Sequence, residues 1–165
     1  MKSNLIKQFE TATIKFEDIE YYYRGFISGE PSCKYISASN ETLDISLLVI
    51  AEKPQIAETM NRITSKTINV AGNLETPAMV EITPSIDTID IVLTGLSDDP
   101  MTVRNLKAAQ KVMIDGENGT VTQNGVNKFS DTDMWEFPRL KPASNTITVN
   151  RSNVDINIKY KPRWI

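Results

Sequence analysis

Apolar and polar residues alternate with a period of two along much of the chain. Val154, Ile156, Ile158 and Tyr160 are separated by Asp155, Asn157 and Lys159. Successive strand side chains point to opposite faces, so such a segment sets one face in a core and the other in water. Residues 43–47, 80–82, 89–93 and 146–149 repeat the pattern, and Val and Ile dominate it, as a half-buried pleated surface favours. Turn formers separate the runs. Asp115-Gly116, Asn118-Gly119 and Asn124-Gly125 tolerate the positive φ angles of tight turns. Residues 150–153 (Asn-Arg-Ser-Asn) predict a hairpin between two alternating strands. Short strands at this spacing predict a mainly all-β chain, an antiparallel sandwich or closed barrel.

Helix signals are few. Ser3 can cap a short helix carrying Leu5, Ile6 and Phe9 on one side. Residues 52–62 read as a second short helix or an irregular connection, with Ile56 and Met60 at i and i+4. Residues 102–111 fit a helical turn or a strand equally well. A boundary falls near Pro54. Residues 1–54 form a small α+β segment, with strands at 13–16, 21–27 and 43–50 and a turn at 17–20. One hairpin, one further strand and one helix are marginal alone, so this segment is expected to pack on the larger unit or on another subunit. Residues 55–165 have the length of one sandwich.

Composition narrows the function. Apolar residues make up 40% and charged residues 24%, close to an average globular protein. The net charge is −3 and no basic stripe is visible, which argues against a nucleic-acid partner. The longest apolar run, residues 47–51, is far short of the ~20 residues of a spanning helix, and the N-terminus lacks a signal-peptide apolar core, so no membrane partner is expected. Cys33 stands alone, which excludes an internal disulfide and fits synthesis in a reducing cytoplasm. The chain has no histidine, which removes Ser-His-Asp and Cys-His nucleophiles and every His-containing zinc site.

The remaining chemistry is unspecific. Asp131 and Asp133, beside Trp135, are spaced as a carboxylate pair could be, but also read as a polar loop. Asp115-Gly-Glu117-Asn118-Gly119 resembles a calcium loop superficially, yet lacks the further ligands and the closing Glu, so a tight turn is expected. Asp98-Asp99-Pro100 reads as a loop. Tyr21, Tyr22 and Tyr23, with Trp135 and Trp164, are candidates for an aromatic platform or for ordinary packing. No catalytic residue, metal site or cofactor is expected, and the chain reads as a non-enzyme.

Residues 112–165 carry a more particular order. It runs Val112-Met-Ile-Asp115-Gly116, then Met134-Trp135-Glu-Phe137-Pro138-Arg-Leu140-Lys-Pro142, then Asn145-Thr-Ile-Thr-Val149, and ends on Tyr160-Lys-Pro162-Arg163-Trp164. This resembles the C-terminal domain of siphophage distal tail proteins, whose fold is a galectin-like β-sandwich. Trp135, Phe137 and Leu140 are expected to drop into the core, stiffened by Pro138 and Pro142, while Asn145 bonds backbone in the turn before residues 147–149. Ala143 stands where the family usually has Gly, so it is strained if that position needs positive φ. Residues 14–25 and 43–47 look like the later part of the family's N-terminal domain, here truncated. The resemblance implies a virion tail component made in the host bacterial cytoplasm. Such a protein assembles into a homo-oligomeric ring and docks tail-tube and tail-tip proteins. A carbohydrate-binding module contacting host cell-wall glycan is the alternative.

Overall fold

A computed structural model describes residues 7–8, 13–37 and 40–165. The chain divides into two compact units, residues 1–54 with Trp164 and Ile165, and residues 55–163. In the first unit, β1 (Thr13–Lys15), β2 (Tyr22–Ile27) and β5 (Leu47–Glu52) lie side by side and antiparallel. The strands β3 (Ser32–Tyr35) and β4 (Glu41–Asp44) form a separate hairpin. Residues 43–50 are therefore not one strand. The alternation continues through Ile45 and Ser46, but the chain changes sheets there, and Ser28 N–H donates to Ser46 O at 2.8 Å. The helix expected after Ser3 lies outside the described residues except for Lys7 and Gln8, which are helical.

The second unit contains β6 (Ile56–Asn61), β7 (Ser65–Val70), β8 (Thr76–Pro84), β9 (Thr88–Thr94), β10 (Met101–Leu106), β11 (Val112–Asp115) and β12 (Thr120–Gln123). These are followed by β13 (Val126–Asn127), β14 (Thr132–Asp133), β15 (Arg139–Leu140), β16 (Ala143–Val149) and β17 (Val154–Tyr160). One sheet runs β13-β12-β11-β8-β17-β6, with β15 also on β8, and the other runs β14-β10-β9-β16-β7. Alternation is strictest in β8, where Thr76, Ala78, Val80, Ile82 and Pro84 are buried and the residues between them are not. Register carries this pattern sideways. Val80 lies between Ile114 and Ile158, and Ile82 between Val112 and Ile156. The facing sheet supplies Ile68, Ile91, Leu93, Val103 and Ile147 to the same core. On the outer face Glu81 accepts from Lys159 Nζ at 2.8 Å and Asn157 Nδ2 at 3.2 Å.

Two expectations are corrected and one open alternative is resolved. Residues 52–62 hold no helix: Glu52 ends β5, residues 53–55 are an irregular connection, and β6 pairs along its whole length with β17. Ile56 and Met60 share a face in a strand as well as in a helix, so that spacing does not discriminate. For residues 102–111 the strand alternative holds through Leu106, with Asn105 at positive φ inside β10, and the chain turns beyond it with Ala109 also at positive φ. Residues 150–153 make no hairpin. β16 and β17 belong to opposite sheets, and these residues arch between them. Their polar groups bind the arch. Asn150 Oδ1 accepts Val92 N–H at 2.9 Å, and the Arg151 guanidinium donates to Asp90 O and Oδ1 at 2.6 Å. Asn124-Gly125 does make the expected tight turn, with φ of 50° and 79°.

Ile82 is fully buried in the middle of the central strand. Ile82→Ala should cost about 2–5 kcal/mol, read as a lower denaturant midpoint at unchanged m-value.

Candidate functional site

Of the residues singled out between Asp115 and Asn145, Gly116, Phe137 and Asn145 line one cleft of about 860 Å³, with Glu117, Asn118 and Gly119 beside them, whereas Asp131, Asp133, Trp135, Leu140 and Pro142 do not. The first wall of the cleft is the turn after β11. Asp115 is buried and organises that turn through its carboxylate. Oδ1 accepts Glu117 N–H at 2.9 Å and Asn118 N–H at 3.1 Å, while Oδ2 accepts Asn118 Nδ2 at 2.8 Å. Burial works against the charge, but these donors outweigh it and hold the carboxyl below the ordinary aspartate range. A carboxylate so engaged closes a turn rather than opening a calcium loop. Gly116 is required by close approach and not by φ. Its N–H donates to Ala78 O at 3.0 Å, and a Cβ here would collide with Pro138 O and with Ala78 O at 2.7 Å.

The second wall is the 136–145 segment. Ala78 N–H donates to Pro138 O at 2.9 Å and Arg139 N–H to Leu96 O at 2.7 Å, so Pro138 and Leu140 are buried. Asn145 is buried and clasps the bend at Pro142. Its Oδ1 accepts Lys141 N–H at 3.0 Å, and its Nδ2 donates to Lys141 O at 2.8 Å and Ala143 O at 3.1 Å. Ala143 has φ of 75°, the left-handed region that favours glycine. Lys141 Nζ reaches Asp98 at 2.8 Å, and Asp98 first, then Glu75 and Glu136, hold the ammonium above the usual lysine range.

Arg163 anchors the rim from the C-terminus. Its guanidinium donates to Glu117 at 2.7 Å, and its carbonyl accepts Asn73 N–H at 3.1 Å and Leu74 N–H at 3.2 Å. Pro162 and Tyr160 are buried beside it in sequence, and burial, with Glu58 adding, pushes the Tyr160 phenol up.

Trp135 corrects the expectation that it enters the core. It is 86% exposed, whereas Leu140 is fully buried and Phe137 packs against the core from its margin. The imperfect alternation of this segment explains the difference, since β15 begins only at Arg139. Asp131 and Asp133 are separately engaged. Asp131 accepts from Lys128 Nζ at 2.7 Å and Asn105 Nδ2 at 2.9 Å, and Asp133 pairs with Arg104 at 3.1 Å. Lys128 first, then Asn105, holds the Asp131 carboxyl below its usual range, the opposite of a general acid. In the first unit Tyr21, Tyr22 and Tyr23 each have a ring or cation partner. Tyr21 meets Trp164 edge-to-face at 5.2 Å with Lys53 over both rings, Tyr23 meets Phe16, and Lys15 lies over Tyr22.

The cleft residues that sequence did not single out are Glu75, Gly95, Ser97, Glu136, Arg139 and Lys141. Their spacing carries no signal, because Asp98 and Lys141 meet from 43 positions apart.

The family model for the siphovirus-type tail component, C-terminal domain, matches residues 71–164. Among solved structures, the Dit protein of phage SPP1, described as a paradigm of the hub adsorption apparatus in phages infecting Gram-positive hosts, matches with TM-score 0.73 at 10% identity. That match covers 93% of this chain and 64% of the SPP1 protein, so the chain spans less than two thirds of that protein's length. The baseplate of phage P2 in its activated conformation with calcium matches with TM-score 0.43 at 11% identity, over 96% of this chain and 72% of that one. A search of curated proteins finds no match. The SPP1 match agrees with a sandwich of the distal-tail kind.

Two outcomes are expected here. Asp115→Asn should lower stability by about 1–3 kcal/mol, because a buried acceptor becomes partly a donor facing N–H groups. A carboxyl held below its unfolded pKa adds stability above that pKa and loses it as pH falls through the folded value. The acid limb of a urea-midpoint profile should therefore be shallower in the variant. Ala143→Gly should raise stability by about 0.5–1 kcal/mol, relief of left-handed strain exceeding the entropy gained by the unfolded chain.

Proposed function

The chain belongs to the siphovirus-type tail component family, and we propose that it is a non-enzymatic structural subunit of a phage or prophage tail tip, assembling with copies of itself and docking neighbouring tail proteins. It is a component of the virion tail. One contrast carries the assembly reading. The second unit has a continuous buried core, while among the described residues of the first unit no apolar side chain is buried. Phe26 and Leu48 lie opposite each other across β2 and β5 and are 59% and 50% exposed. Phe16, Tyr35 and Ile36 are exposed as well. Paired strands with apolar side chains left in water are the kind of surface that a partner chain covers. A ring of copies and the tube and tip proteins of a tail are the partners this reading assigns.

Sedimentation velocity of the full chain at micromolar concentration should show a discrete oligomer. Phe26→Asp with Leu48→Asp should weaken it by about tenfold or more in dissociation constant, as loss of a buried apolar contact does. A strict monomer that captures neither tail-tube nor tail-tip proteins overturns the reading.

A further inference from the structure

We propose that Asn124, at the tip of the β12–β13 hairpin, is a site of spontaneous covalent modification, converting through a cyclic imide to aspartate and isoaspartate. The reaction favours an asparagine or aspartate followed by glycine, whose missing side chain leaves its backbone nitrogen open to approach. Three such pairs occur: Asp115-Gly116, Asn118-Gly119 and Asn124-Gly125. The fold treats them differently.

The glycine nitrogen is the nucleophile, so its surroundings decide which pair reacts. Gly116 is buried and its N–H donates to Ala78 O at 3.0 Å. Gly119 N–H donates to Asp115 O at 3.0 Å, and the Asn118 amide is held by Asp115 Oδ2 at 2.8 Å. Among the described residues neither Gly125 N–H nor the Asn124 amide has a hydrogen bond, and both residues are exposed. Apart from its chain neighbours, nothing lies within 4 Å of the place a Gly125 Cβ would take. Ring closure draws Gly125 N onto Asn124 Cγ, which the tight turn, with φ of 50° and 79°, permits only by opening. Opening costs little here, because β13 is a two-residue edge strand whose Val126 and Asn127 are exposed. The 115–119 turn is tied instead by three hydrogen bonds to the Asp115 carboxylate and by Arg163 on Glu117 at 2.7 Å.

The step balances with water as the only co-reactant. Gly125 N gives its proton to base and bonds to Asn124 Cγ, the Cγ–Nδ2 bond breaks, and the nitrogen leaves as ammonia. Water then opens the imide at either carbonyl. One opening gives aspartate; the other gives isoaspartate, which carries Cβ into the main chain. Both add a negative charge. The extra main-chain atom cannot keep the two-residue loop that pairs Gln123 with Val126 and Thr122 with Asn127. β13 also supplies Asn127 to an apolar pocket of about 410 Å³, with Val121, Phe129 and Phe137. Loss of β13 pairing removes one wall of that pocket.

The test incubates the full chain in mildly alkaline buffer, folded and in denaturant, and follows both samples by peptide mapping with fragmentation mass spectrometry. In the folded chain Asn124 should convert at least about tenfold faster than Asn118, the ratio that about 1.4 kcal/mol of extra opening cost produces. In denaturant the two rates should converge, since both residues precede glycine. The isoaspartate form, separated by its added charge, should exchange the amides of residues 126–127 faster and those of residues 112–114 at the unmodified rate. Asn118 converting as fast as Asn124 in the folded chain overturns the proposal. So does a folded Asn124 that stays intact while the denatured chain converts, or a preference for Asn124 that survives denaturant. Unmodified exchange at residues 126–127 in the isoaspartate form overturns the loss of pairing.

Discussion

The second unit depends on the meeting of three backbones at Ala78. There the central strand gives its carbonyl to Gly116 N–H and takes Pro138 O on its own N–H. Only a residue without a Cβ fits between them, since any side chain at position 116 would overlap both carbonyls. The same strand buries every second residue in the core. One element therefore fixes the hydrophobic layer and the frame of the cleft. A substitution that pushed the 115–119 turn away from β8 would open the cleft and strand two backbone hydrogen bonds at the core margin.

What sequence revealed and what it hid divide along physical lines. Periodicity of two located the strands because a pleat obliges alternation, and β8 and β17 were legible from Val80, Ile82, Ile156 and Ile158. It could not say which strands pair. The 150–153 segment has the residues of a hairpin turn, yet here they bind an arch between sheets, through Asn150 and Arg151 to the neighbouring β9. Ile56 and Met60 fit helix and strand alike. The cleft was half legible. Asp115, Gly116, Pro138 and Asn145 could be picked out as a family pattern, and the glycine-seeking φ at Ala143 followed from it. The charged rim was not legible, because ion pairs between distant loops leave no local signature.

Alternation also leaves open what covers a face. In β17 the apolar face is buried in the chain's own core. In β2 and β5 comparable side chains stay partly or largely exposed. The same pattern thus describes a finished core in one unit and an apolar surface in the other. Only accessibility in the folded chain separates the two cases, which is why Trp135, read as core from its neighbours Phe137 and Leu140, stands in solvent.

The edges of the sandwich argue further for a division of roles. An open strand edge offers unpaired backbone groups to another chain, and proteins blunt such edges with short strands and lysine. One end of each sheet is closed by a two-residue strand, β13 or β14. The other ends are β6 and β7, and Lys66 spans from one to the other, donating to Thr59 O at 2.8 Å and pairing with Glu58 at 2.7 Å. That contact occupies a β6 carbonyl and sets a charge where an added strand would lie. The sandwich is thus ill suited to grow by strand addition. Apolar area open to burial by another chain is instead plentiful on the first unit, on the face that Phe26 and Leu48 share.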